Sequence, residues 1–439
     1  MPAETIKPAR MSTIDPPLRV DTEAPSAPGG DQQSRLEFYL LRIAEALALA
    51  VFLSFCILWV KWQLSAPGVS KLSGDFVSFW TAGQLALQGH AADAYHRAPH
   101  FALQLAMHHD PGWGYLAFFY PPYFLLLCAA LALLPYFPAL CVWLATTLAC
   151  YVAALRALLP NNGRDGMPVW VLFLGYPAVM INAGFGQNGF LSAALFGGAA
   201  FWLDRSPALA GICLGCLSYK PQLGIIVPLA LLAAKRWRCF AFAAATTLVL
   251  AAAATLAFGI DIWPAFFASM GDGRRDWMEP ANPLYLVYWI TSYGAVRLHG
   301  GPLWLAYGIQ SAVTVTAALL LVRALLHRPP RARDGRAEVA AIAACVPFCS
   351  PFMLEYDLII LAVPMAWLLG EALHDGFRRG EIAALVAAYL APALFKISAF
   401  DNALKLGVIA AAALLFAMVL RRMQHPSQMH TLDLAHMTA

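Results

Sequence analysis

Asp75, in Gly74-Asp75-Phe76-Val77-Ser78-Phe79-Trp80, is the side chain here with the clearest chemical use. It follows the first long apolar run by about a dozen residues and stands at the start of a long loop. A carboxylate at the rim of a membrane domain can act as a base toward a membrane-bound substrate. The same residue ahead of a helix can also cap it by accepting backbone N–H bonds, and the two uses are compatible. Lys220, in Leu217-Ser218-Tyr219-Lys220-Pro221-Gln222, has apolar runs on both sides. An ammonium at membrane depth costs about 2.5–3.5 kcal/mol, so an anionic partner or a water-filled cavity is expected. A lipid phosphate would serve, and the bland alternative is a lysine that snorkels to the headgroups.

Four further constellations are weaker. Gly186-Gln187-Asn188-Gly189 closes one apolar run and opens the next. Its amides can bind a sugar or a neighbouring helix, and its glycines permit a tight turn. Arg274-Arg275, in Gly271-Asp272-Gly273-Arg274-Arg275-Asp276-Trp277, can clamp a phosphate or simply pair with Asp272 and Asp276. Asp357, in Glu355-Tyr356-Asp357, either caps the helix that follows or faces the same region as Lys220. His108-His109-Asp110 lacks the spacing of a helical metal pair, so no metal site is assigned.

These residues need elements to carry them. Hydrophobic residues make up 60% of the 439, charged ones only 12%, and apolar runs recur along the chain. With a mean hydropathy of +0.63, this is the composition of an all-α polytopic membrane protein. Barrel strands would alternate, and these Ala/Leu/Val runs do not. The formal net charge of +4 is spread out, which argues against a nucleic-acid partner. All nine cysteines lie in apolar runs, so Cys213-x-x-Cys216 reads as packing rather than a redox or metal motif. Residues 1–34 are rich in proline and read as a cytoplasmic tail without fixed structure. Residues 35–422 form the membrane domain, and 423–439 are a second cytoplasmic tail.

About twelve spans are expected, near 42–62, 139–159, 168–185, 189–203, 207–220, 222–235, 239–258, 303–325, 337–352, 356–370, 381–396 and 402–420. The run from Phe118 to Leu134 decides the sidedness of everything after it. If it dips in and returns, most of the 29 Lys and Arg fall on the cytoplasmic side, including Lys235-Arg236-Trp237-Arg238 and the arginines of 323–336. If it crosses, both clusters face outward, against the positive-inside rule. Tyr120-Pro121-Pro122 therefore opens a re-entrant or interfacial helix. Both termini are then cytoplasmic, and the outer loops are 63–138 and 259–302. The spans 189–203, 207–220 and 222–235 have only about 14 residues each, roughly 20 Å of helix against a roughly 30 Å hydrocarbon core. Their outer ends should stop short and leave a depression floored by Gln187, Asn188 and Lys220.

Taken in order, these pieces resemble glycosyltransferase family 87, a group of polyprenyl-phosphate-mannose-dependent mannosyltransferase-like proteins within the GT-C superfamily. The resemblance is carried by Gly74-Asp75-Phe76 through Gly89 and Tyr95, Phe119-Tyr120-Pro121-Pro122 to Leu134-Pro135, and Gly186-Gln187-Asn188. It continues through Ala210-Gly211, Lys220-Pro221, Lys235-Arg236-Trp237-Arg238, Ser350-Pro351 and Tyr356-Asp357. It implies a GT-C architecture in a bacterial inner membrane, with the active site on the periplasmic face. It implies transfer of a hexose, expected to be mannose, from a polyprenyl-phosphate sugar to a lipid or glycan acceptor, with inversion. Asp75 would be the general base, and Lys220, Arg274 and Arg275 the donor-phosphate contacts. Gln187, Asn188, Tyr120 and Asp357 would bind substrate. No cofactor is implied; a divalent metal is possible, because Asp93 or Asp110 could approach Asp75 in space. The rival readings are a lipid-linked-sugar flippase, which would want paired broken helices in two related halves, and a non-catalytic membrane scaffold.

Overall fold

The structure, a computed structural model, describes residues 30–64, 74–108, 114–160, 168–279, 283–328, 334–397 and 402–425. Residues 1–29, His109, Asp110 and the end of the second tail lie outside the described residues. The described chain divides into two units after Ile43. The first helix, α1 (Gly30–Leu64), begins inside the expected tail, where Gln32-Gln33-Ser34-Arg35-Leu36-Glu37 is mostly good helix-forming sequence.

The first outer segment folds as α2 (Phe76–Leu87), a 3-10 turn at Ala91–Tyr95, α3 (Arg97–His108) and α4 (Pro122–Ala132). Helix α4 has 11 residues, a rise of about 16 Å, which is too short to cross a bilayer. Its limits follow from the sequence. Proline occupies its first turn, Pro135 follows its end, and two side chains of α2 satisfy carbonyls at its C-terminal end. Gln84 Nε2 donates to Ala132 O at 2.6 Å, and Trp80 Nε1 donates to Leu134 O at 3.0 Å. Helix α2 lies so close to α4 that a Cβ at Gly83 would run into the Cys128 carbonyl. Phe76, Phe79, Tyr95, Phe118, Phe124 and Trp143 close an aromatic core around this contact.

The membrane part continues with α5 (Tyr136–Leu158), α6 (Pro177–Phe185), α7 (Gly189–Trp202), α8 (Pro207–Cys216), α9 (Pro221–Gly224), α10 (Val227–Ala233) and α11 (Trp237–Phe258). Then come α12 (Ile262–Gly273), which runs into a π turn at Arg274–Met278, and α13 (Ser292–Leu298), α14 (Leu303–Leu326) and α15 (Gly335–Cys345). A 3-10 segment, Glu355–Leu361, leads into α16 (Ala362–Asp375), followed by α17 (Glu381–Ile397) and α18 (Asn402–Gln424). Among the described residues there is no strand, only one isolated bridge between Trp289 and Leu354.

Among the described residues, six stretches are long and apolar enough to cross a membrane: Tyr39–Lys61, Tyr136–Leu158, Trp237–Phe258, Leu303–Leu326, Glu355–Asp375 and Lys405–Gln424. The other expected spans are helical but short or broken. Prolines open α6, α8 and α9, and each removes a backbone donor that a longer helix would need. The core lies at Glu355–Asp375, whose apolar window is 78% buried, against 11% for Trp237–Phe258 at the periphery. Ahead of this core helix the backbone leaves helical form, which membrane depth allows only where its polar groups find partners. Three of its carbonyls find theirs in neighbouring segments. Phe348 O accepts from Gln310 Nε2 (3.1 Å) and Thr314 Oγ1 (2.6 Å), Pro351 O from Thr291 Oγ1 (3.0 Å), and Met353 O from the Ile290 N–H (3.1 Å).

At one end of this domain Arg236 ties two connectors to the first turn of α15. It donates to Glu338 through Nε and Nη2 at 2.7 and 3.0 Å, and its Nη1 lies 2.8 Å from Asp204. All nine cysteines are free thiols.

Candidate active site

Six of the residues singled out from the sequence meet in one hydrogen-bonded cluster, built where short helices begin and end. Asp75 precedes α2 with helical backbone angles, but its side chain makes no capping bond. The start of α2 is held by backbone bonds instead, Val77 N–H to Gly74 O and Ser78 N–H to Asp75 O. The carboxylate accepts from Gln187 Nε2 at 2.5 Å, across 112 positions of sequence. The Asp75 side chain is half-buried and takes no part in capping the helix it precedes.

Gln187 is placed by its glycines. Gly186 closes α6 in the left-handed region at φ +65°, which glycine reaches without strain. Trp143 Nε1 donates to the Gly186 carbonyl at 3.0 Å. A Cβ at Gly189 would sit 2.5 Å from Asn182 Oδ1 and 2.6 Å from Ile359, so α7 can start here only with glycine. The Gln187 Oε1 atom accepts from the Asn188 N–H at 3.1 Å and Tyr120 Oη at 3.4 Å, which leaves Nε2 facing Asp75.

Lys220 lies between a 3-10 turn and α9, with only 2% of its side chain exposed. Its partner is internal. Nζ donates to Asp357 Oδ1 at 2.5 Å and Asn188 Oδ1 at 3.2 Å, and it lies 4.9 Å from the Tyr356 ring centre. The Asp357 Oδ2 atom accepts from the Leu354 N–H at 3.3 Å, so both of its oxygens are engaged inside the protein. The Asn188 Nδ2 atom is buried with no partner, a spare donor beside the cation.

Around this cluster stand residues that the sequence reading missed. The Tyr219 hydroxyl shares a 2.6 Å hydrogen bond with Ser192 Oγ and donates to the Asn188 carbonyl at 3.1 Å. Its ring stacks on Phe124 at 5.0 Å and on Tyr120 at 6.4 Å. Tyr219 and Tyr356 each immediately precede a charged site residue, but nothing in a single sequence tells which way an aromatic ring points.

Electrostatics suit Asp75 to proton transfer. Loss of hydration pushes its carboxyl up to about 6, while the Gln187 hydrogen bond and the Lys220 charge hold it down and Asp357 and Glu355 add to the rise. A carboxylate tuned to that range can accept a proton near neutral pH. The acidic neighbours of Asp75 are therefore Asp357 and Glu355. Asp93 pairs instead with His90 and His96, and Asp110 lies outside the described residues.

The arginine pair is placed differently. Arg274 donates to Glu279 at 2.8 Å, Arg275 pairs with Asp272, and Asp276 lies 3.5 Å from Arg97. Both arginines are exposed, and neither joins the Asp75 cluster. They are still close to it in one respect: Gly273 packs against the ring of Phe119, the residue before Tyr120.

The sequence model of glycosyltransferase family 87 matches residues 118–351, more than half of the chain. The chain belongs to glycosyltransferase family 87. The matched stretch holds Tyr120, Gln187, Asn188, Lys220, Arg274 and Arg275, while Asp75 precedes it and Asp357 follows it. No curated protein and no solved structure matches the chain. As a family 87 glycosyltransferase it takes a sugar from a donor to an acceptor, and its apolar helices make it a membrane protein.

Proposed function

We propose that this family 87 protein transfers a hexose, with mannose the first candidate, from a polyprenyl-phosphate donor to a lipid or glycan acceptor at the periplasmic face of a bacterial inner membrane. The expected arrangement is the twelve-pass GT-C one with both termini cytoplasmic, the shorter membrane helices completing the bundle. One observation carries it: the Asp75 carboxylate is held by Gln187 at 2.5 Å, within electrostatic range of the buried Lys220.

In this mechanism the acceptor hydroxyl attacks the anomeric carbon as Asp75 takes its proton. The carbon–oxygen bond to phosphate breaks on the opposite side, and its electron pair leaves with the phosphate, so the anomeric centre inverts. Lys220 meets the charge that grows on the leaving group. Tyr120, Gln187 and Asn188 face the sugar, and Arg274 and Arg275 guide the phosphate at the rim. No metal is required by these steps.

The test uses the full chain in lipid nanodiscs with polyprenyl-phosphate hexoses differing in the sugar, scored by labelled sugar transferred and polyprenyl phosphate released. Removing a general base costs about 10²–10⁴ in rate. Asp75→Asn should lose at least about a hundredfold while keeping the parent's melting temperature and helicity. Retention of parental turnover by that variant would sink the assignment of Asp75.

A further inference from the structure

This inference rests on the transfer reading above and concerns how the Lys220 ammonium is managed. Of its three N–H donors, one is spent on Asp357 at 2.5 Å and one on Asn188 at 3.2 Å. Asp357 is fully buried, and its two oxygens are taken by Lys220 and by the Leu354 N–H. With no exposed surface, it offers a sugar no open face. We propose that Asp357 is a positioning residue rather than a substrate contact: it fixes Lys220 beside Asp75 and weakens the grip of that ammonium on the phosphate that leaves.

The charge balance of the step gives this arrangement a purpose. The donor is a phosphodiester with one negative charge. Transfer converts it to a monoester, which carries about −1.5 to −2 at neutral pH. The phosphate therefore gains charge as the bond breaks, and a cation already in place stabilises that change without reorganising. An unmatched buried ammonium would go on to hold the product phosphate and slow its departure. Asp357 opposes this, because its own charge repels the dianion while it keeps Lys220 from swinging away. The Asn188 Oδ1 contact completes the placement from the other side.

The experiment measures binding of polyprenyl monophosphate and the rate of transfer for the parent, Asp357→Asn and Asp357→Glu, all as full chains in nanodiscs. Asp357→Asn should bind the monophosphate about tenfold more tightly, as expected for losing one nearby like charge, and turn over at least about tenfold more slowly. Asp357→Glu, which keeps the charge, should return product affinity to near the parent value. Unchanged or weaker product binding by a folded Asp357→Asn overturns the proposal, as does a parallel fall of binding and melting temperature in both variants. If Asp357→Asn does not insert, Asn188→Asp supplies the opposite perturbation. A second carboxylate on Lys220 should weaken product binding about tenfold, and no weakening there overturns the proposal. A parent that binds no polyprenyl monophosphate at all refutes the transfer reading itself.

Discussion

The contact between Gln187 and Asp75 makes the sharpest prediction, because it links a distance to a pH profile. The perturbation is Gln187→Leu, which keeps the volume and removes the amide. In the parent, burial raises Asp75 to about 6 and the Gln187 hydrogen bond pulls against that rise. A hydrogen bond to a charged group is worth about 1.5–3 kcal/mol, and one pKa unit is about 1.36 kcal/mol. Partial exposure of Asp75 favours the low end, so losing the bond should raise its pKa by about one unit. A base works only when deprotonated, so activity is present above its pKa and is lost as pH falls through it. The acidic limb of kcat/KM should therefore move from about pH 6 in the parent to about pH 7 in Gln187→Leu. At pH 6 the variant should show about a fivefold deficit from titration alone, shrinking as the pH rises to about 8. The assay is sugar transfer at saturating acceptor across pH 5–9, with both proteins melting alike. A limb that stays put, or one that moves to lower pH, refutes Asp75 as the titrating base.

Two further outcomes test the surroundings of the site. His100 is fully buried, and desolvation lowers its pKa from 6.5 to about 4. The folded form thus resists a proton that the unfolded chain accepts, and stability should fall as pH drops from about 6.5 to about 4. The loss is at most about 3 kcal/mol, read as faster amide exchange in α2 and α3, and His100→Gln should flatten that pH dependence. Lys220→Met leaves the Asp357 carboxylate buried and unpaired and should destabilise the protein by about 3–5 kcal/mol. In denaturant unfolding, Lys220→Met with Asp357→Leu should recover most of that loss, and an unimproved double variant would contradict the pairing.

Much of the fold was legible because lipid leaves a chain few choices. Apolar runs without alternation must be helices, and every expected span is largely helical in the structure. Only six of the described stretches are long enough to cross a membrane, and prolines open three of the shorter helices. The run from Phe118 to Leu134 yields only the 11 residues of α4, because prolines bracket it. Less legible was the state of each charge. Asp75 before a helix suits a cap by type, yet its carboxylate turns to Gln187 and leaves the cap unused. Lys220 required an anion, and its sequence neighbours offered none. The partner is Asp357, 137 positions away. Arg274 and Arg275 had acids close by in sequence, and local pairing took them.

The sequence by itself determined that this protein is a helical membrane protein, which residues carry unusual charge for their setting, and where helices must stop. Those are consequences of composition and local chemistry, since hydrophobic transfer, proline and glycine act over a few residues. Only the tertiary structure decided which charges meet. The ends of α6, α7 and α9 and the turn before α16 bring Gln187, Asn188, Lys220 and Asp357 to Asp75. A buried charge is satisfied by whatever packing places within about 3 Å of it, and no distance along the chain encodes that.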